Sequence, residues 1–343
     1  MRHLLNTLFV TSEDIYLSLD GENVVANREK TVVARYPLHT LSAILSFAYP
    51  GASPALMGAC AQRGISLSFC TPRGKFLARV TGEANGNVLL RRTQYRIADD
   101  PAQSCTIARA MVFGKVHNAR WSIERTRRDH GLRVDDQRLA EVSSQLKALL
   151  PQLLEETELS SLRGLEGAGA TAYFSVFDQL ILGDRSTFRF TTRSRRPPLD
   201  PVNALLSFAY SLLSHDCAWA LESVGLDSYV GFLHRDRPGR SSLALDLMEE
   251  LRPCVADRFV LTCINNRMFR EKDFTYRENG GVFLSEDGRR LFLQRWQERK
   301  KETLTHPFLR EKIPWGLVPY LQALLLVRYL RGDLKAYPPF LWK

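Results

Sequence analysis

The chain has 343 residues, with 47 Lys and Arg against 37 Asp and Glu and a formal net charge of +10 at pH 7. Its 45% apolar and 24% charged residues are those of a globular protein, which excludes a disordered tail, a collagen-like repeat and a polytopic membrane protein. The length suits two domains of about 100–200 residues each, and the positive excess points to an anionic partner, nucleic acid or an acidic membrane surface.

Residues 1–84 read as mainly β. Residues 5–11 and 14–19 are strand-like, and Asp20-Gly21 signals a hairpin into residues 23–26. Residues 31–36 continue in the same manner. Residues 36–62 carry no Lys, Arg, Asp or Glu, but Pro50-Gly51 and Pro54 leave apolar pieces too short to cross a bilayer. Two short buried helices are expected there, over 40–48 and 53–62. Residues 65–70 look like a buried strand, and Pro72-Arg73-Gly74 makes a turn into residues 75–81.

From about residue 85 the pattern becomes helical. Asp100-Pro101 opens a segment running to residue 128. Segments 135–150, 159–182, 201–222, 243–251, 285–300 and 315–331 follow. The last of these contains Gln322 and Arg328 and reads as an amphipathic core helix. Gly280-Gly281 marks a loop or small hairpin. The fold class is therefore α+β, a small N-terminal β-rich domain (1–84) followed by a larger all-α domain (85–343). The first holds 8 basic and 6 acidic residues, the second 39 and 31, so the helical part is the better anion binder. Residues 1–6 lack a signal-peptide core. The six scattered cysteines contain no C-x-x-C pair, which argues against a disulfide scaffold or a cysteine zinc site. A reducing cytoplasm with buried free thiols is expected. The pentapeptide Leu-Ser-Phe-Ala-Tyr occurs at 45–49 and 206–210, but the flanks differ and it marks no repeat.

Four constellations could carry chemistry. The first is Arg163-Gly164-Leu165-Glu166-Gly167-Ala168-Gly169, in a segment that reads as helix and that Ser160 or Ser161 could cap. A mid-helix Gly costs about 1 kcal/mol relative to Ala, so three need a reason. Small residues let another helix or a ligand approach the backbone. Glu166 is then either exposed or held against a partner charge, and a tight helix crossing with a surface Glu accounts for the same residues. The second runs from Arg193 to Asn203. Asp200 is a candidate N-cap with Pro201 first in the helix, and Asn203 lies in a first turn that favours anions. Upstream, Arg185, Arg189, Arg193, Arg195 and Arg196 stand without an acid among them, which suits a phosphate backbone and also a solvated basic loop.

The third is His234-Arg235-Asp236. It is no kinase catalytic loop, because the required Asn is absent, Asp273-Phe274 is followed by Thr275, and no Gly-rich loop precedes it. A lone His is more often structural than a ligand. The fourth is a helix capped by Ser242 and ended by Pro253, in which Leu243, Leu247 and Leu251 form an apolar stripe. Asp246 and Glu249 share another face, as they would on a salt-bridged surface. Taken together, one His with two or three carboxylates and no thiolate is the ligand set of a hard cation, Mg²⁺ or Mn²⁺, with zinc less favoured. Beside arginine-rich loops it points to phosphodiester chemistry.

These residues resemble the CRISPR-associated spacer-acquisition integrase family (Cas-one). The carriers are Arg163-Gly-Leu-Glu166-Gly, then Arg196-Pro-Pro-Leu-Asp-Pro-Val-Asn203 on to Tyr210, then Leu233-His234, then Gly239-Arg240 through Asp246, Glu249 and Arg252-Pro253. They stand in matching order, and the resemblance covers nearly the whole chain. The start, Leu5-Asn6-Thr7-Leu8, is similar to the branch attached to type I-C systems. The resemblance implies a β domain for dimerisation and an α-helical catalytic and DNA-binding domain. It implies a metal held by Glu166, His234 and Glu249, the last being Asp in much of the family, with Asp246 as a supporting carboxylate. Arg195, Arg196, Asn203, Tyr210 and Arg240 would position DNA. The implied partners are double-stranded DNA (spacer fragment and repeat array), a second copy in a homodimer, the small Cas-two companion and, in some subtypes, a Cas-four nuclease, with no membrane. The implied reaction joins 3′-hydroxyl ends into the repeat array by metal-dependent transesterification, without ATP and without a P-loop. A repair nuclease would share the chemistry and differ in product, and a non-enzymatic binding module would leave Glu166, His234 and Glu249 as surface residues.

Overall fold

Strands at the N-terminus of the computed structural model build two sheets. The structure describes residues 6–29, 31–71, 76–80, 82 and 88–343. Strands β2 (Ile15–Asp20), β3 (Asn23–Arg28) and β4 (Thr31–Pro37) form an antiparallel sheet in that order. Gly21, at φ +55°, makes the tight turn that pairs Asp20 with Asn23, a backbone angle that glycine takes without strain. In the other sheet β1 (Asn6–Val10) and β6 (Ser66–Cys70) flank β5 (Leu41–Ser46), both parallel to it, and β7 (Phe76–Arg79) closes antiparallel. Between β5 and β6 runs α1 (Pro54–Arg63), capped by Ser53, whose Oγ accepts from the Leu56 amide at 3.2 Å, and ended by Gly64 at φ +64°. Leu17, Val24, Leu38, Ile44, Leu56, Cys60 and Leu67 make the core. The expected helix over 40–48 is thus a strand. A central strand covered on both faces has a continuous apolar sequence, which periodicity does not distinguish from a buried helix. The expected turn at Pro72-Arg73-Gly74 lies outside the described residues.

The remainder is helical. It comprises α2 (Val88–Ala98), α3 (Pro101–His130), α4 (Asp136–Glu155), α5 (Leu159–Ser175), α6 (Pro201–Ser223), α7 (Ser242–Leu251), α8 (Arg258–Asn265), α9 (Glu286–Lys301) and α10 (Val318–Leu330). Asp100 caps α3, accepting from the Ala102 and Gln103 amides, with Pro101 first in the helix. Helix α3 buries Met111, Val112, Val116 and Ile123 and packs on α4, α5 and α7. Asp200 and Pro201 open α6 as expected. Neither Ser160 nor Ser161 caps α5, which starts after Glu158. Ser242 does not cap α7 either, since its hydroxyl donates to the Arg235 carbonyl at 3.2 Å. Pro253 does not end the helical path. The chain widens into a π-helical stretch (Arg252–Asp257) and continues as α8. A proline ring clashes with the carbonyl four residues back, and a wider turn relieves that clash. Two small antiparallel pairs complete the fold, β8 (Phe274–Tyr276) with β9 (Val282–Leu284), and β10 (Thr303–Thr305) with β11 (Lys312–Pro314).

The chain divides into two compact units, Met1–Gly86 with Arg289–Glu302, and Asn87–Gly288 with Thr303–Lys343. The first unit therefore draws on two separate stretches of sequence. Within it, Arg289 lies over the Phe47 ring at 5.5 Å and donates to the Thr11 carbonyl at 3.3 Å. All six cysteines are buried free thiols. Among the described residues no helix is long and apolar enough to cross a membrane.

Candidate active site

Asp246 on α7 is fully buried and organises the loop before that helix. Its Oδ2 accepts from the Phe232 and Leu233 amides at 2.6 and 2.9 Å, and its Oδ1 accepts from the His234 amide at 3.0 Å. The same Oδ1 lies 2.5 Å from His234 Nδ1. A carboxylate only accepts, so Nδ1 carries the hydrogen, and in the neutral ring Nε2 then keeps its lone pair for another partner. Gly231 makes this possible, because a Cβ there would sit 2.8 Å from Asp246 Oδ2. Arg163 on α5 secures the loop from the other side, with Nε and Nη2 donating to the Leu233 carbonyl at 2.9 and 2.6 Å.

Glu249, one helical step from Asp246, is also buried. Its Oε1 receives Arg252 Nη2 at 2.9 Å and lies 3.9 Å from His234 Nε2. Its Oε2 is 2.7 Å from Lys115 Nζ, without the geometry of a hydrogen bond. Burial opposes the charge of Glu249, but Arg252 and Lys115 outweigh it and hold the carboxyl below its ordinary range. Lys115 also pairs with Glu166 on α5. One ammonium from α3 thus stands between carboxylates from α5 and α7. Among the described residues no three His, Cys, Asp or Glu side chains converge tightly enough to grip a metal. The donor chemistry nonetheless fits one. Two carboxylates already share a cation, one buried carboxylate oxygen lacks a hydrogen bond, and the imidazole nitrogen nearby is fixed as an acceptor. Of the glycines around Glu166, Gly169 packs on Val116 and Leu149, whereas Gly164 and Gly167 face open space. The need for close helix approach therefore explains Gly169 alone.

The arginine-rich loop is tied down by Asn203. This residue is fully buried. Its Oδ1 accepts from Arg193 Nη1 at 2.6 Å and the Ser194 amide at 3.1 Å, and its Nδ2 donates to the Thr192 carbonyl at 2.8 Å and Asp200 Oδ2 at 2.6 Å. The guanidinium groups of Arg193 and Arg252 each lie over the Tyr210 ring, 5.2 Å from its centre, and the Tyr210 hydroxyl donates to Asp257 Oδ1 at 2.6 Å. Both side chains are engaged within the protein. Arg195 and Arg196 are exposed and Arg240 is half-buried. Burial lifts Asp257 to about 6, against the pull of the Tyr210 hydrogen bond and the two arginines.

Glu250, next in α7, is fully buried as well. Its Oε1 accepts from Gln322 Nε2 at 3.0 Å and from the Tyr337 hydroxyl, and its Oε2 accepts from the Phe340 amide at 2.8 Å. Asn118 on α3 donates to the Glu250 and Phe340 carbonyls, both at 2.7 Å. Gly114 gives Glu250 room, since a Cβ there would come within 2.8 Å of Glu250 Cβ. Sequence reasoning brings forward Glu166, His234, Asp246 and Glu249. It misses Lys115, the bracing role of Arg163, and Asp257. Arg163 could have been found inside the glycine-rich motif, whereas Lys115 and Asp257 have no local signal.

A β-rich unit followed by a helical one, with carboxylates and a histidine gathered from three stretches of the helical part, defines an α+β protein with a polar, positively ringed centre. The chain belongs to the family described as CRISPR associated protein Cas1, whose model matches residues 8–298. It is 48% identical over 343 residues to CRISPR-associated endonuclease Cas1 1 of Chlorobaculum tepidum and 50% identical over 350 residues to CRISPR-associated endonuclease Cas1 2 of Rhodospirillum rubrum, in both cases over 100% of each chain. A CRISPR-associated exonuclease Cas4/endonuclease Cas1 fusion of Geobacter sulfurreducens is 36% identical over 337 residues, covering 97% of this chain and 60% of the fusion. Among solved structures, a casposase bound to integration product has a TM-score of 0.83 at 21% identity, covering 98% of this chain and 94% of that one. A Cas6-RT-Cas1–Cas2 complex has a TM-score of 0.80 at 22% identity, covering 100% and 36%. These two likenesses show the shared fold.

Proposed function

We propose that this Cas1-family chain is a CRISPR adaptation integrase, a DNA endonuclease and strand-transfer enzyme that joins the 3′-hydroxyl ends of short duplex fragments into the CRISPR repeat array. The observation that carries the reading is the gathering of Glu166 and Glu249 around one positive charge, with His234 Nε2 beside them. Glu166, His234 and Glu249 would hold Mg²⁺ or Mn²⁺, which activates the incoming hydroxyl and offsets charge on the attacked phosphate. Asp246 keeps the Nδ1 proton in place and so aims Nε2. Arg252 offsets the charge of Glu249 and holds its orientation. One phosphodiester forms as another breaks, so no ATP is needed. Arg195, Arg196 and Arg240 meet the DNA backbone, while Asn203 and Tyr210 act from within by holding the loop that presents it.

The N-terminal unit serves as the homodimer contact. Relatives fused to Cas4, and the complex in which a Cas1 is joined by Cas2, support both proteins as partners. Leu5-Asn6-Thr7-Leu8 supports the type I-C branch, and DNA as substrate supports a cytoplasmic location. The test is a joining assay with a repeat-bearing plasmid. Glu166→Ala, His234→Ala and Glu249→Ala should each abolish joining while DNA affinity stays within about threefold, and EDTA should stop the wild type. Free ends without a joined branch would indicate a repair nuclease instead. Full activity in any of the three variants would remove that residue from the centre.

A further inference from the structure

Asp257 has no place in the mechanism above, yet the basic side chains around the site converge on its partner. It closes the π-helical stretch Arg252–Asp257 and is 1% exposed. Its Oδ1 takes the Tyr210 hydroxyl at 2.6 Å, and the Tyr210 ring carries two guanidinium groups with different duties. Arg193, over the ring, belongs to the arginine-rich loop and reaches Asn203 Oδ1 at 2.6 Å and Ser207 Oγ at 3.1 Å. Arg252, also over the ring, reaches Glu249 Oε1 at 2.9 Å, and its Nε has no hydrogen-bond partner among the described residues. The orientation of Arg252 therefore rests on the Tyr210 face and on Glu249. A cation over an aromatic ring sits in a broad minimum, so the stack alone does not hold the ring. The directional contact is the hydrogen bond at the hydroxyl.

The π-helical turn is what delivers that contact. One extra residue per turn rotates everything after it by about 100° around the helix axis. An uninterrupted α-helix would carry position 257 away from Tyr210. The device begins at Arg252, three residues after Glu249, so the helix that supplies the carboxylate also supplies the clamp on it.

We infer that Asp257 is a positioning residue of the strand-transfer centre, locking Tyr210 so that Arg252 is held against Glu249 and the arginine-rich loop is coupled to that carboxylate. This rests on the integrase reading. Asp257 acts through Tyr210 and Arg252 and touches neither DNA nor metal.

The experiment uses the full chain with Cas2, Mn²⁺, a duplex oligonucleotide with 3′-hydroxyl ends and a repeat-bearing plasmid, and measures kcat, KM and the Kd for the duplex. Asp257→Ala and Tyr210→Phe should each lower kcat by about 10–100-fold, the effect of a small misplacement of reacting groups, with a much smaller change in KM and Kd. The double variant should be no slower than either single, because both break one contact. Asp257→Asn keeps an acceptor in place and should recover most of kcat. Additive losses in the double variant overturn the inference, as does wild-type kcat in Tyr210→Phe, or an Asn variant as slow as the Ala variant. If Asp257→Ala does not fold, Tyr210→Phe and Asp257→Asn still decide it. A wild type that joins no DNA overturns the integrase reading itself, which is a separate result from an active wild type with an indifferent Asp257.

Discussion

Lys115 balances two carboxylates, one of them buried. Glu249 is 2% exposed and Lys115 stands 2.7 Å from its Oε2. Removing one partner of a buried pair strands the other and costs about 3–5 kcal/mol. Lys115→Met should therefore unfold more easily without divalent ions by a penalty of that order. Mn²⁺ should restore much of the loss, because a ligand of the folded form stabilises it. Thermal unfolding with and without Mn²⁺ checks this, and no recovery would mean that these carboxylates do not take up a cation. Glu250 gives a second prediction. Burial raises its carboxyl from 4.5 to about 7, so the folded protein holds a proton that the unfolded chain releases at lower pH. The associated stability is present below about 4.5 and is lost as pH rises through about 7. Glu250→Gln should flatten that decline in a urea titration repeated from pH 5 to 8, and an unchanged slope would show that Glu250 does not titrate there. Residues of the site differ in how far sequence reveals them. Glu166, His234, Asp246 and Glu249 are legible because each stands in a run of distinctive neighbours. Lys115 lies 51 residues before Glu166 in an ordinary helix, and only packing brings the two together.

At the level of elements, the loop at Gly231 and the helix after it behave as one part. A methyl group at Gly231 would press on Asp246 Oδ2 and on Ser242 backbone and side-chain atoms within 2.9 Å. Overpacking of this kind costs about 1–3 kcal/mol. Gly231→Ala should lose that much stability and should lose joining activity more steeply, since Asp246 also holds His234. Equal, small losses in both would separate the loop from the chemistry. Local pattern falls short where context decides. Leu-Ser-Phe-Ala-Tyr begins within strand β5 at 45–49 and is wholly helical at 206–210 in α6, so the same five side chains follow whichever neighbours bury them. Pro253 is a stop signal by local chemistry, yet the π-helical stretch carries the chain past it into α8.

For the whole molecule, the change of hydrophobic period near residue 85 is visible in the sequence, and the shift from β to α follows it. The grouping of Arg289–Glu302 with the N-terminal strands is not visible, because a helical pattern does not say which core will bury it. Charge is the other property of this scale. Exposed Arg195 and Arg196 are read as backbone contacts, and each phosphate neutralised adds about 0.9 to the slope of log affinity against log salt. The pair changed to Ala should lower that slope by about 2 and weaken binding to unrelated duplexes equally. An unchanged slope would place the DNA path elsewhere.

The brace on Glu250 has a consequence in time. Its partners Tyr337 and Phe340 follow it by 87 and 90 residues, and Asn118 waits 222 residues for Phe340. A ribosome that has already made α3, α5 and α7 has produced Glu166, His234, Asp246 and Glu249, yet the next carboxylate in α7, Glu250, still lacks its C-terminal partners. The buried Glu250 carboxylate is therefore fully partnered only late in translation, and a nascent chain stalled before residue 337 carries it without its Tyr337 and Phe340 donors.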